Sequence, residues 1–335
     1  MIYKRGKKPS RPLPAKAFLF KSVFNPAKLP TPPIRFGHQG LMGKEPWHML
    51  GNDEYGNCVW AAKAHMQYLW SLLGENERVR ITTADVLSDY AAQTGFSADN
   101  PDSDQGTDMQ AAAEYHRLVG IRDARNIRHK VFAYVALEHG NVNQLALATY
   151  LFGAVEIGLS LPDDCDDLFE AGKVWKVSDS KPSGGHTVTI VGRDEHGNFI
   201  AVTWGKLQHI EPAFIAKYMD EGYAFLNSEI LNLKGLSAEA YDKVALTRML
   251  SQVCTSLPEE DVAAVIPPDV IAPLLTPTPV TPPKRRVPNQ AQYDVAFDVL
   301  RAAVDKSGYG WALSDANLRT YSNAVTEGVV AAGSI

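Results

Sequence analysis

From Val59 through Leu73 the chain is rich in Ala, Met, Leu and aromatic residues and holds no Gly or Pro. This pattern predicts a mostly buried helix. The stretch before it, Gly51-Asn-Asp-Glu-Tyr-Gly-Asn57, is polar and carries glycine, so a loop delivers Cys58 to the first turn of that helix. A second pattern, Ser183-Gly-Gly-His-Thr-Val-Thr-Ile-Val-Gly192, alternates β-branched residues and predicts a strand that His186 opens. Helical spacing returns from Ser237 to Leu257, from Gln290 to Lys306 and from Ser314 to Val330. Between the first two of these, residues 266–288 are dominated by Pro, Thr and Val and read as a semi-rigid extended linker. The organisation that follows is a basic extended arm over 1–40, a main domain over 41–235, a helical extension over 236–265, the linker over 266–288 and a small helical module over 289–335.

Composition narrows the class. With 335 residues, 45% hydrophobic and 21% charged, the chain can build one core of about 200 residues with smaller attachments. No segment approaches the run of about 18 apolar residues that a membrane span needs. The basic start Met1-Ile-Tyr-Lys-Arg-Gly-Lys-Lys8 leads into no apolar stretch, so no signal peptide is expected. Cys58, Cys165 and Cys254 cannot all pair and have no zinc-ligand spacing, which suits a reducing compartment and predicts no metal and no other cofactor. Residues 1–40 carry Lys4, Arg5, Lys7, Lys8, Arg11, Lys16, Lys21, Lys28 and Arg35 without one Asp or Glu. Such an arm cannot fold alone. It reads as a strap over its own domain or as a contact for an acidic partner protein or nucleic acid.

Cys58 is the candidate nucleophile. At a helix N-terminus the unpaired N–H groups and the positive end of the dipole favour thiolate and predict a lowered pKa. His186 is the candidate base, brought to the cysteine by the fold. Of the nine histidines, His65 reads as a helix residue, packed or half-exposed, and His129, His139, His196 and His209 as solvated. Cys165, in Pro162-Asp-Asp-Cys-Asp-Asp167, is expected to be a poor nucleophile because four carboxylates hold its proton on.

These residues resemble, in order, the papain-like cysteine peptidases, whose members share a Gln, a short loop, a Cys- and Trp-bearing helix, much later a His opening a strand, and finally Asn-Ser-Trp-Gly. Asn52 stands where the family's oxyanion Gln would be, and Trp60 follows Cys58 in the helix. Thr82 to Tyr90 is similar to a family helix, and Gln105-Gly-Thr107 with the helix to Ile121 resembles the family's substrate-cleft segment. Asn143 to Leu161, Val202-Thr-Trp-Gly205 and Gly222-Tyr-Ala-Phe-Leu226 complete the likeness, over about residues 40 to 235. The resemblance implies an α+β fold in two lobes, a helical lobe bearing the cysteine and an antiparallel-sheet lobe bearing the histidine. It departs at Val202, which holds the place of the residue that orients the imidazole and cannot do so; Thr203 and Asp194 are the alternative orienters.

Two readings follow. In the first, Cys58, His186 and Asn52 carry out hydrolysis of a peptide or isopeptide bond, Trp60 and Trp204 wall the site, and Gln105, Gly106 and Thr107 contact a peptide or protein substrate. In the second, a catalytically degenerate papain-like domain serves as a structural part of a large assembly such as a phage virion, with the arm and the C-terminal module making the contacts. An acyl transfer to an amine, using the same Cys and His, stands behind both.

Overall fold

Residues 3–11, 30–75, 77–232 and 236–238 are described by a computed structural model. The chain divides into two units, Met1–Leu275 and Thr276–Ile335, and all described residues belong to the first. Residues 239–335, with Cys254, the linker and the C-terminal module, lie outside the described residues.

Helix α1 (Cys58–Glu75) begins at the cysteine. Residues 58–71 are buried on every side, so it is a central helix rather than a surface one. Helix α2 (Thr83–Thr94) starts from a capping box in which Thr82 and Asp85 satisfy each other's backbone N–H groups, and it stops at left-handed Gly95. Helix α3 (Met109–Leu118) is capped by Asp108, which accepts from Ala111 N at 2.8 Å. These three form the helical lobe.

The other lobe is an antiparallel sheet of seven strands. Strands β4 (Ala133–Ala136), β9 (Met219–Leu226), β5 (Val155–Pro162), β6 (Pro182–Arg193), β7 (Phe199–Thr203) and β8 (Lys206–Ile210) lie side by side in that order. Strand β1 (Phe36–Gly37) pairs with Gly192 and Arg193 and so extends the β5 side of β6 past the first residue of β5. The sheet thus starts inside residues expected to belong to the arm. Strands β2 (Ile121–Arg122) and β3 (Arg128–His129) pair separately. Helix α4 (Val142–Phe152) precedes β5, and the short helices α5 (Cys165–Glu170) and α6 (Pro212–Tyr218) border the sheet.

Helix α1 is tied to the sheet by more than apolar packing. Thr189 Oγ1 on β6 donates to Ala62 O at 2.8 Å, and Trp70 Nε1 donates to Phe152 O at 2.9 Å at the end of α4, just ahead of β5. Lys63 reaches Glu156 on β5 at 2.8 Å, both side chains being fully enclosed. Burial pushes the Lys63 pKa down and the Glu156 pKa up, each opposed by the other's charge. These ties fix Cys58 against β6, where the two lobes meet.

No helix among the described residues is long and apolar enough to cross a membrane.

Candidate active site

The loop ahead of α1 turns sharply at His48, Leu50 and Gly51, all at positive φ. It is pinned by Asp104, whose carboxylate accepts from Gly56 N at 3.0 Å and from the Tyr90 hydroxyl at 2.6 Å. The same hydroxyl accepts from Gly106 N at 3.0 Å, so one tyrosine and one aspartate set the cysteine loop and the cleft segment against each other. Neither Tyr90 nor Asp104 stood out in the sequence, because a tyrosine on an amphipathic helix carries no mark of function.

Strand β6 brings His186 to the cleft as its fifth residue rather than its first. Nε2 of His186 lies 2.7 Å from Thr203 Oγ1, the last residue of β7. Its Nδ1 is buried without a partner. Val202, as expected, does no orienting: it is buried and registers with Thr189 and Leu207. Asp194 is turned to other work, accepting from His209 Nδ1 at 2.8 Å and from Asn198 in the β6–β7 turn. After Thr203 a two-residue turn, Trp204 and Gly205 at φ of 44° and 72°, folds back into β8. Such a turn matches the twist of a tight hairpin. It lays the Trp204 ring over His186, 4.5 Å between centroids at 24°.

Cys58 is 1% exposed, and next to it on β6 is Thr187, the neighbour of His186. The expected lowering of its pKa is overturned. Burial raises it, outweighing the Gly6, Thr187 and Val59 N–H groups that favour thiolate. Part of what covers the sulfur is the chain's own N-terminal arm, whose Gly6 N–H reaches it.

Residues 3–8 run through the cleft as a segment bridged to both walls at Lys7. Lys7 N donates to Gly185 O at 3.1 Å on the sheet side, while Thr107 N donates to Gly6 O at 2.6 Å and Lys8 N to Thr107 O at 2.9 Å on the helical side. Gly6 passes so close that a Cβ there would lie 1.7 Å from Gly56 O, and a Cβ on Gly106 would lie 2.1 Å from Gly6 O. Only glycine fits either position. Tyr3 stacks on Trp204 at 4.3 Å, on an aromatic surface shared with His186. Arg5 pairs with Asp166 at 2.7 Å, Arg11 pairs with Asp108, and the Tyr3 hydroxyl donates to Glu170. The acidic surface that the basic arm was expected to need is thus its own cleft, and the strap is the arrangement found for residues 3–11.

Asn52 is buried, its Nδ2 donating to Tyr55 O at 3.1 Å and reaching Lys4 O at 3.5 Å, so its amide faces a carbonyl lodged in the cleft. Trp60 donates to Thr107 Oγ1 at 3.1 Å and holds the helical wall. Gly106 and Thr107 line the cleft, whereas Gln105 is exposed and donates to Asp102 O on the rim. Burial lowers His186 to about 3, with the Arg5 charge adding to the effect, so the imidazole is neutral beneath the arm.

The remaining candidates separate cleanly. Burial lowers the packed His65 to about 4. His139 and His196 are exposed. His129 is not solvated, contrary to expectation: it is buried between Glu229 at 3.0 Å and Asp123 at 3.5 Å, whose charges raise its pKa against the effect of burial. His209 is held by Asp194 rather than free in solvent. Cys165 is fully buried, and its pKa is raised first by burial and then by Asp164. Among the described residues no group of three or more His, Cys, Asp or Glu is placed to hold a metal ion.

No protein-family model and no curated protein matches the sequence. Among solved structures the chain is similar to xylellain, a cysteine protease from Xylella fastidiosa, at 13% identity and a TM-score of 0.49, over 67% of this chain and 96% of that one. It is similar to the digestive procathepsin L2 proteinase of the Tenebrio molitor larval midgut at 15% identity and a TM-score of 0.49, over 67% of this chain and 78% of that one. A cysteine protease of Carica candamarcensis, solved in complex with E-64, gives 12% identity and a TM-score of 0.45 over 58% of this chain and 99% of its own.

Proposed function

We propose that the chain is a papain-like thiol hydrolase of peptide or isopeptide bonds whose cleft is closed by its own residues 3–8. The observation that carries this reading is His186, fixed through Nε2 by Thr203 and leaving Nδ1 unpartnered, one residue from the Thr187 N–H that faces the Cys58 sulfur. An imidazole held at one nitrogen is fixed in orientation, and the open Nδ1 is the one available to take a proton. The strand pairing of the arm with Thr107 and Gly185 supports an extended peptide as the occupant of the cleft.

With the arm displaced, the Cys58 proton passes to His186 Nδ1 and the thiolate attacks the substrate carbonyl carbon. The oxyanion meets the Cys58 N–H and the Asn52 amide. His186 returns the proton to the departing amine, leaving a thioester. Water then attacks with His186 as base, releasing the acid and restoring the thiol.

The test is peptide cleavage by the full chain carrying Gly6→Leu, which the fit of Gly6 against Gly56 cannot accept. Turnover that vanishes on Cys58→Ala supports the reading. An opened cleft in which Cys58 neither turns over peptides nor reacts with an epoxide electrophile faster than Cys165 removes it.

A further inference from the structure

Among the described arm residues, Lys7 has the most deeply enclosed charged side chain. Its side chain is 1% exposed, although lysine is almost never buried without a partner. Nζ lies 3.1 Å from Asp220 Oδ1, 3.5 Å from Glu221 Oε2 and 3.1 Å from its own neighbour's carbonyl, Lys8 O. The hydrocarbon stem passes over Gly158 on β5, where a Cβ would lie 2.1 Å from Lys7 Cε, and beside Met109. Glycine at 158 is at an ordinary strand conformation, so space for the stem, not backbone geometry, is what it provides here. Glu221 is itself held in place by the Tyr223 hydroxyl, which donates to Oε1 at 2.8 Å.

The cleft therefore ends, one residue along from the group that touches the sulfur, in a narrow apolar slot floored by two carboxylates. Glu221 is largely enclosed, and leaving it there without a cation would be costly. Its pKa is raised by that burial, against the pull of Tyr223 and Lys7. The backbone pairing on both sides of Lys7 is independent of its side chain, so any extended peptide that replaces the arm presents a side chain to the same slot.

We infer that this slot reads a lysine or arginine side chain of the substrate, so that cleavage falls within about two residues of a basic position, the arm's Lys7 being a resident mimic of that side chain. This rests on the hydrolase reading for its consequence, though not for the binding itself.

The test uses the full chain with Gly6→Leu, and in parallel with Lys7→Glu, which repels the arm from Asp220 and Glu221. Synthetic peptides spanning residues 2–11, with Lys, Arg, Leu or Glu at the seventh position, are titrated by fluorescence anisotropy. The Lys and Arg peptides should bind roughly tenfold or more tightly than the Leu peptide, a gap set by one buried charge pair. The gap should close in D220N/E221Q, and Gly158→Val should weaken the Lys and Arg peptides most. Equal binding of the Leu peptide, or a preference that survives D220N/E221Q, overturns the inference. Cleavage-site mapping on a mixed peptide pool separates the two ideas. Basic preference in binding with no cleavage leaves the slot and removes the hydrolase, whereas cleavage with no basic residue near the cut leaves the hydrolase and removes the slot.

Discussion

Nε2 of His186 and Oγ1 of Thr203 lie 2.7 Å apart, in a contact sealed from water by the Trp204 ring. A hydroxyl, unlike a carboxylate, brings no charge to the imidazole, so it fixes orientation without raising basicity. Thr203→Val should lower kcat roughly tenfold and leave KM nearly unchanged, the scale of one buried hydrogen bond lost with its partner left unsatisfied. Thr203→Ser should keep most of the rate. Steady-state kinetics of the arm-opened chain would show it, and an unchanged kcat in Thr203→Val would deny the threonine any positioning role.

Residues 3–8 close the cleft, so Cys58 should be slow towards thiol reagents in the unaltered chain despite its place at a helix N-terminus. In Gly6→Leu its labelling at neutral pH should accelerate by at least about tenfold, as burial is relieved and the N–H groups around the sulfur come to dominate its ionisation. Cys165, enclosed by its own helix and by Trp175, which donates to its carbonyl, should not change. Mass spectrometry of the labelled peptides resolves the two, and equal acceleration at both would mean general unfolding.

Acid should loosen the arm. Beneath it His186 is held down to about 3, while an uncovered imidazole titrates near its ordinary 6.5. Above pH ~6.5 the ring is neutral either way and closure is at full strength. As pH falls from about 6.5 towards 3, only the open form takes up the proton, so closure weakens, by up to about thirtyfold at pH 5. Asp166, with its carboxyl raised chiefly by burial, acts in the opposite sense, so the effect is assigned by comparison. Anisotropy of a fluorophore on the N-terminus should drop on acidification in the unaltered chain and less in His186→Gln; identical curves would place the switch elsewhere.

The placement of Cys58 at a helix start and of His186 on a strand was legible because each rests on local pattern: a polar loop against an apolar helix, and alternation along a strand. Thr203 stood only as an alternative, against the alternation that turns it to the face opposite Val202; as the last residue of its strand it nevertheless reaches His186 Nε2. The arm's destination was not legible. It depends on Asp166, Asp220 and Glu221, more than 150 residues away in sequence, converging on Arg5 and Lys7. The closed state in turn reverses the pKa expected for Cys58, because helix-terminus electrostatics were weighed without the desolvation that a neighbouring strand imposes. His129 misled in the same manner, its charged sequence neighbours giving no hint of Glu229.

The Lys63–Glu156 pair joins the helix that carries Cys58 to the sheet that carries His186, and it does so with no access to water. Lys63 also lies over the Phe225 ring, 4.7 Å from its centroid, so the ammonium has an apolar companion as well as an ionic one. Removing one member leaves a buried charge alone: Lys63→Met or Glu156→Leu should cost about 3–5 kcal/mol in unfolding free energy. Replacing both together should recover most of that loss, because two apolar chains of similar volume satisfy the same space without desolvating charge. Denaturant unfolding of the two single variants and the double variant gives the coupling directly. Single-variant losses below about 1 kcal/mol would mean that water reaches the pair, and that the lobes are joined by packing alone.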